Sequence, residues 1–370
     1  MKAKAELEKA REKTAEFISA RPREVIFTSG GTEGNNLAIQ GVVSQNLTPL
    51  PLSLIRRGVG ERCILPHIIT TNIEHPSVLD TCKMLERRGL AEVSIVSVEP
   101  NGIVDPKKIK KELKENTVLV SVMYANNEIG TVQPIREIAK EIRFYKKTNN
   151  SIYPLFHTDA VQAVNYLDLN VEKLGVDLLT ISGAKIEGGG RAGVLYKKAN
   201  VPLARIWGGG EQEMGFRPGT ENLPEILKFA KALENIFKTR EKETKRLIKL
   251  KNYFLKKLLK LSRTILDNNM EVNGDSESNL PNIINVTFPG IPSDLLVIEF
   301  SAKGIMISSK SACKSKSKEG SYVIEALRPG SDPEIGGVRF SMGKSTTKSD
   351  IDRTIKILSA ILQKLSKWYG

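Results

Sequence analysis

Short apolar runs alternate with helical stretches through the first half of the chain, and this alternation constrains the fold more than any other feature. EVIFT (24–28), HIITT (67–71), EVSIVSV (92–98), TVLVSVMY (117–124), YPLFHT (153–158) and DLLTIS (177–182) each read as a buried strand. The pattern predicts helices over 4–20, after SGGTEGNN, from about His75 to Arg88, near Pro106–Glu115 and after Pro134. In the first of these, Leu7, Ala10, Phe17 and Ile18 fall near a 3.6-residue period. Strands without a polar face, separated by helices, imply βαβ units and a largely parallel sheet covered on both sides. The fold class is α/β, with right-handed crossovers.

After Gly210 the texture changes. A long helical region is expected from about Leu223 to Ser262. NIINVTF (282–288), a helix near Ser293–Phe300, a strand at Gly304–Ile307 and a closing helix from Thr347 to Trp368 describe a smaller α+β domain. The boundary is placed near 240, giving a large α/β domain over 1–240 and a small one over 241–370. Thr48–Glu61, rich in Pro, Leu and Gly, reads as a surface insertion.

Of the 370 residues 40% are hydrophobic and 26% charged, enough apolar material for a core, which excludes general disorder. No apolar run reaches the roughly 18–20 residues of a membrane span. The N-terminus carries both signs of charge and no apolar h-region, against a signal peptide, and its acidic residues argue against a transit peptide. Lys+Arg 56 less Asp+Glu 42 leaves +14, but the lysines are scattered and no nucleic-acid-reading motif accompanies them. The densest basic stretch, Lys238 to Arg263, reads as an amphipathic helix with a basic face. The three cysteines, Cys63, Cys82 and Cys313, form no CxxC pair, which makes a reducing cytoplasm the natural compartment.

Ligands of parallel α/β sheets sit at the carboxyl ends of the strands. The residues there are Thr28 to Thr32, His75, Asn126-Asn127-Glu128, Asp159 to Gln162 and Ser182 to Lys185. TSGGTE can offer backbone N–H groups and Thr32 to an anion, though such turns are common and GxxxxGK[ST] is absent. Asp159 can bind a metal, act as a base, hold a cationic ring nitrogen, or simply cap a turn. Lys185 is either a Schiff-base lysine or an ordinary surface lysine. His75 is either a helix cap or a ring that stacks on a cofactor. Cys313 lies in SSKSACKSKSKEGSY, where Lys310, Lys314 and Lys316 favour the thiolate. Cys63 and Cys82 read as structural.

In their order and separations, TSGGTEGNN, EHPSVL, ANNEIGTVQPI, HTDAVQAV, Ser182–Lys185, GGGEQEMGFRPGTEN, SACKSKSKEGSY and RFSMGKSTT resemble the cysteine desulfurases. These are pyridoxal 5′-phosphate (PLP) enzymes of the class V aminotransferase fold (fold type I). The stretch after Cys313 is similar to the housekeeping iron–sulphur-cluster branch. The resemblance covers about residues 4 to 365. It implies that Lys185 holds PLP covalently, Asp159 pairs with the pyridine nitrogen and His75 stacks on the ring. It implies Gln162 and Asn127 as partners of the ring oxygen and substrate side, and Gly31, Thr32 and Ser182 as the phosphate cradle. Thr220 would reach a phosphate across a homodimer interface. Arg339 would pair with the substrate carboxylate. Cys313 would take sulphur from L-cysteine, leaving L-alanine and a persulfide for an iron–sulphur scaffold or a tRNA-thiolation protein. No resident metal is implied, beyond transient contact of Cys313 with an iron–sulphur cluster, and neither membrane nor direct nucleic-acid binding.

The chain departs from the family pattern in places. Ala184 stands where the family has His before the lysine, Gly188-Gly189-Gly190-Arg191 replaces Gly-Pro-Lys-Gly, and Lys310 replaces a Gly. The family's first strand and its Ala-Thr-Thr loop are expected upstream of Met1. Two alternatives follow from the same residues. One is another class V enzyme, such as a selenocysteine lyase or an aminotransferase. The other is a catalytically weak, truncated homologue acting as a binding partner.

Overall fold

The computed structural model describes residues 2–47, 64–265, 269–309, 320–332 and 334–369. Cys63, the Thr48–Glu61 insertion and the segment carrying Lys310, Cys313, Lys314 and Lys316 lie outside them. The chain divides into two compact units, one formed by 1–96, 104–124 and 134–238 and the other by 97–103, 125–133 and 239–370.

The first unit holds β1 (Val25–Thr28), β2 (His67–Thr71), β3 (Glu92–Val96), β4 (Thr117–Ser121), β5 (Leu155–Asp159), β6 (Leu178–Ser182) and β7 (Gly193–Lys197) in one sheet. Their spatial order is β1-β7-β6-β5-β4-β2-β3. The pairs β2–β3, β2–β4, β4–β5 and β5–β6 are parallel, and β7 runs antiparallel to both β6 and β1. Every residue of β1, β2, β4, β5, β6 and β7 is buried, as expected of a sheet covered on both faces. Strand β3, at the edge, is mostly exposed or half-buried.

Helices α1 (Lys2–Ile18), α2 (Gly31–Asn46), α3 (Pro76–Arg87), α4 (Pro106–Lys111), α5 (Ile135–Thr148) and α6 (Val171–Leu174) supply the cover. Leu37, Ala38 and Val42 of α2 and Val78, Cys82 and Leu85 of α3 pack in one core with Ile26, Leu119, Leu155, Leu178 and Leu195 of the strands. Cys82 sits in this core as a thiol whose pKa burial pushes up to about 12, an inert structural position.

Strand β7 is the element the alternation did not reveal. It follows the glycine run and returns antiparallel with no helix before it, so it breaks the βαβ rhythm.

Helix α7 (Leu223–Ile265) carries the changeover between the units, at Lys238–Thr239. The second unit is built on a three-stranded antiparallel sheet, β10-β9-β8, of β8 (Glu271–Asn273), β9 (Ile283–Thr287) and β10 (Val338–Ser341). It also holds α8 (Ser293–Ser301), α9 (Tyr322–Leu327) and α10 (Lys348–Tyr369). Phe340 of β10 meets Phe254 and Phe300 edge to face, with ring centroids 5.2 and 5.7 Å apart. The strand expected at Gly304–Ile307 does not form. A turn through Gly304 closes α8, with Ile305 N donating to Phe300 O, and only Ser308 bridges to Arg339.

Candidate active site

Because β7 is antiparallel to both β1 and β6, those two strands run the same way as β5, and their carboxyl ends share one edge of the sheet. Gly193 stands opposite both Thr28 and Ser182, which draws the TSGGTE turn against the end of β6. Helix α2 begins there with Gly30 at its N-cap and no side-chain cap. A Cβ at Gly31 would come within 2.8 Å of Val161 Cγ2 and 3.6 Å of Ser182 Cβ, so glycine keeps the cradle open. Thr32 is exposed in the first turn.

Glu33 folds back from that turn. It accepts from Ser29 N at 2.9 Å and from Ser29 Oγ, and it pairs with Arg217 Nε at 2.9 Å. Burial opposes its ionisation, but these bonds outweigh it and hold the carboxyl below the usual range.

Asp159 ends β5 and is 7% exposed. Its Oδ2 accepts from Asn35 Nδ2 at 2.7 Å and its Oδ1 from Val161 N at 2.9 Å. Burial raises its pKa, against the Val161 and Asn35 bonds and the nearby charges of His75 and Lys185. His75 is the N-cap of α3, its Nδ1 accepting from Ser77 N at 3.1 Å. Burial lowers its pKa, with Asp159 acting the other way and Lys185 reinforcing it. The cap and cofactor readings of His75 are therefore compatible: its Nδ1 serves the helix while the half-buried ring stays beside Asp159 and Lys185.

Lys185 ends a tight turn (Gly183–Lys185) directly after β6 and is exposed. A Cβ at Gly183 would collide with the carbonyl oxygens of Gly189 and Ala192, so only glycine allows the turn that presents the lysine. Asn165 Nδ2 donates to Lys185 O at 2.7 Å and fixes its backbone. Ala184 is exposed beside it. Gln162 lies half-buried in the turn after β5.

A buried carboxylate that resists ionisation is completed by a cation, and the protonated pyridine nitrogen of PLP is one. A glycine-lined, uncapped helix start suits its phosphate. A lysine near that carboxylate suits its aldehyde. The residues fit the cofactor.

The second unit gathers another polar group. Arg339 Nη1 donates to Asn127 O at 2.7 Å, while its Nε and Asn127 Oδ1 are buried with no partner among the described residues. Burial lowers the Arg339 pKa, partly offset by Glu128. A guanidinium with an unmet donor fits a small carboxylate. Asn285 Nδ2 holds Glu128 O at 3.0 Å, and Ser321 Oγ donates to Glu128 Oε2 at 2.6 Å.

Both flanks of the Cys313 segment are rooted in this group. Ser308 exchanges backbone hydrogen bonds with Arg339 (2.7 and 3.2 Å), and Ser321 is tied to Glu128.

The structure thus gathers Gly31, Thr32, His75, Asp159, Gln162, Ser182 and Lys185 in the first unit, and Asn127 and Arg339 in the second. Thr220 is exposed, three residues beyond the Arg217 that pairs with Glu33. Asn35 and Ser77 fall within the TSGGTEGNN and EHPSVL motifs, and the resemblance implies no role for either. Asn35 shows a readable signal: it shares a helical stripe with Ala38 and Val42, all fully buried, so a polar group sits on an apolar face.

The aminotransferase class-V family model matches residues 1–354. The chain is similar to a cysteine desulfurase IscS of Dictyoglomus turgidum, 39% identical over 359 residues, covering 97% of this chain and 84% of that protein. It is likewise similar to a cysteine desulfurase IscS of Methanosarcina thermophila, 39% identical over 356 residues, covering 96% and 81%. Among solved structures, a NifS-like protein superposes with a TM-score of 0.83 at 32% identity, covering 98% of this chain and 89% of its own. A NifS-like protein from Rickettsia africae gives 0.79 at 27% identity, with 98% and 89% coverage. From sheet order, cradle and these likenesses together, the chain belongs to the class V aminotransferases, among the PLP-dependent cysteine desulfurases.

Proposed function

We propose that this chain is a cysteine desulfurase that converts L-cysteine to L-alanine and collects the sulphur on Cys313. The observation that carries the reading is the buried Asp159 carboxylate with His75 and Lys185 in electrostatic reach. PLP, when bound, supplies an electron sink that lets bonds at the substrate's α and β carbons break heterolytically. Asp159 would hold the ring nitrogen, Gly31, Thr32 and Ser182 the phosphate, and Gln162 the ring oxygen. Lys185 would anchor the cofactor and carry protons. Arg339 would clamp the substrate carboxylate with Asn127 beside it.

Cys313 then attacks the substrate sulphur as a thiolate. An S–S bond forms, the substrate's S–Cβ bond breaks, and Cβ gains a proton to give alanine. The flanks of the Cys313 segment, Ser308 and Ser321, are fastened beside Arg339 and Glu128, which supports delivery of the thiolate to the same substrate.

We further propose a homodimer in which Thr220 serves the partner's phosphate site. A cytoplasmic setting is proposed with it, on the three scattered cysteines of the sequence. The sulphur would pass to an iron–sulphur scaffold or another sulphur-acceptor protein. Among the described residues no helix is long and apolar enough to cross a membrane.

Cys313→Ala tests the assignment. Persulfide and sulphide are expected to vanish while the visible absorption of bound PLP stays. Unchanged sulphide output would remove Cys313 from the reaction.

A further inference from the structure

We propose that Asn35 and Ser77 are positioning residues: a buried relay, Asp159–Asn35–Ser77–His75, fixes the His75 ring in its Nε2–H tautomer and ties its orientation to the Asp159 carboxylate. The inference rests on the cofactor site described above and extends it to two residues outside the cradle.

Every link is short. Asn35 Nδ2 donates to Asp159 Oδ2 at 2.7 Å and to Ser77 Oγ at 2.8 Å, which uses both amide hydrogens. Ser77 Oγ lies 2.8 Å from His75 Nδ1, and Ser77 N donates to the same nitrogen at 3.1 Å. Asn35 is fully buried and Ser77 is 8% exposed. The orientation of the Asn35 amide follows from charge. Turned over, it would aim Oδ1 at a carboxylate oxygen. In the orientation it takes, Oδ1 has no partner among the described residues, a cost accepted to keep both hydrogens in the relay.

Ser77 N has only a hydrogen to offer, so Nδ1 is the acceptor of that contact, and the Ser77 hydroxyl, which takes the Asn35 hydrogen on one lone pair, turns its own hydrogen to the same nitrogen. A nitrogen that receives both a hydroxyl and a backbone N–H carries no proton, so in a neutral ring the proton sits on Nε2. His75 then has a hydrogen to donate at Nε2 and no free lone pair to accept one. It serves as a fixed plate and hydrogen-bond donor, and Lys185 is left as the proton carrier of the cradle. Among the charged groups whose fields reach His75 are Asp159, Lys185 and Asp80.

The test is nuclear magnetic resonance of the full chain carrying 15N-ring-labelled histidine, with and without PLP. The chain has three histidines, and His75→Gln identifies the signal that belongs to His75. In the wild type His75 is expected wholly as Nε2–H. Ser77→Ala is expected to give a mixture of tautomers and to raise the His75 titration midpoint by about one pH unit, since the neutral ring loses a donor. Asn35→Ala is read on the tautomer alone, because it also frees Asp159; it too is expected to give a mixture.

A wild-type ring in the Nδ1–H form overturns the proposal, and that measurement needs no variant to fold. So does a His75 signal unmoved in both variants. Sulphide assayed on the same samples separates the two readings: no sulphide from a wild type with the Nε2–H ring sinks the desulfurase reading and leaves the relay standing.

Discussion

Asp159 shows how a residue's neighbours decide between readings that its position alone leaves open. As a letter after a strand it is base, ligand or cap. In the fold it is a buried carboxylate with two donors and two nearby bases, and burial works against its charge. Asp159→Asn keeps the shape and removes the charge. It is expected to weaken PLP binding at least tenfold, read by equilibrium dialysis, because a protonated ring nitrogen would lose its counter-charge. Binding as tight as wild type would show that the carboxylate does not face the ring. Lys185 and Cys313 were legible as candidates from their flanking residues. Ser77 was not, since a lone Ser at a helix start is ordinarily a cap, and Asn35 was legible only as a polar residue on an apolar helical stripe.

Among the elements, six strands of the first unit were legible as short apolar runs bounded by turn residues, nearly continuous where the strand is buried and interrupted by polar residues in the edge strand β3. Strand β7 escaped because it follows the glycine run with no α-helix to set it off from β6, and β8 and β10 because they have only three and four residues. The position of β1 also depends on a pair that no pattern foretells. Arg11 of α1 reaches Glu213 through Nη1 (2.8 Å) and Nη2 (2.7 Å), and Glu213 also accepts from Phe27 N of β1 at 2.8 Å. The two side chains are 9% and 1% exposed. Glu213→Ala leaves the buried guanidinium only the Val25 carbonyl and the half-exposed Glu8 carboxylate and is expected to cost ~3–5 kcal/mol, whereas Arg11→Met with Glu213→Leu, which still leaves Phe27 N without its acceptor, is expected to cost less. Denaturant midpoints check this, and a single variant as mild as the double would contradict it.

For the whole molecule, buried titratable groups set the pH at which the fold is strongest. Burial lowers His67 to about 4 and His157 to about 3. Both bind protons in the unfolded chain below its ordinary pKa of ~6.5, so stability falls as pH drops beneath that value. Burial raises Glu74 to about 8. The folded chain keeps that proton where the unfolded chain has lost it, so stability falls as pH rises from ~4.5 toward 8. Each group contributes up to ~1.4 kcal/mol per pH unit, and two histidines outweigh one glutamate below 6.5. The thermal midpoint of the cofactor-free protein is expected to peak near pH 6.5, and Glu74→Gln to flatten the decline above it. A midpoint that climbs steadily to pH 8 would contradict this.

The two units differ in how far sequence alone reached them. The first announces itself by its strand–helix alternation. The second includes 97–103 and 125–133, which sit deep inside the first in sequence and which no local pattern assigns elsewhere. Desulfurase chemistry is the central claim, and its most direct test needs only the wild-type chain, PLP, L-cysteine and a reducing thiol. Alanine and sulphide are expected in equal amounts, with a change in the visible absorption of the bound cofactor on adding cysteine. Pyruvate and ammonia in place of alanine, or no product from a chain that has bound PLP, would contradict it.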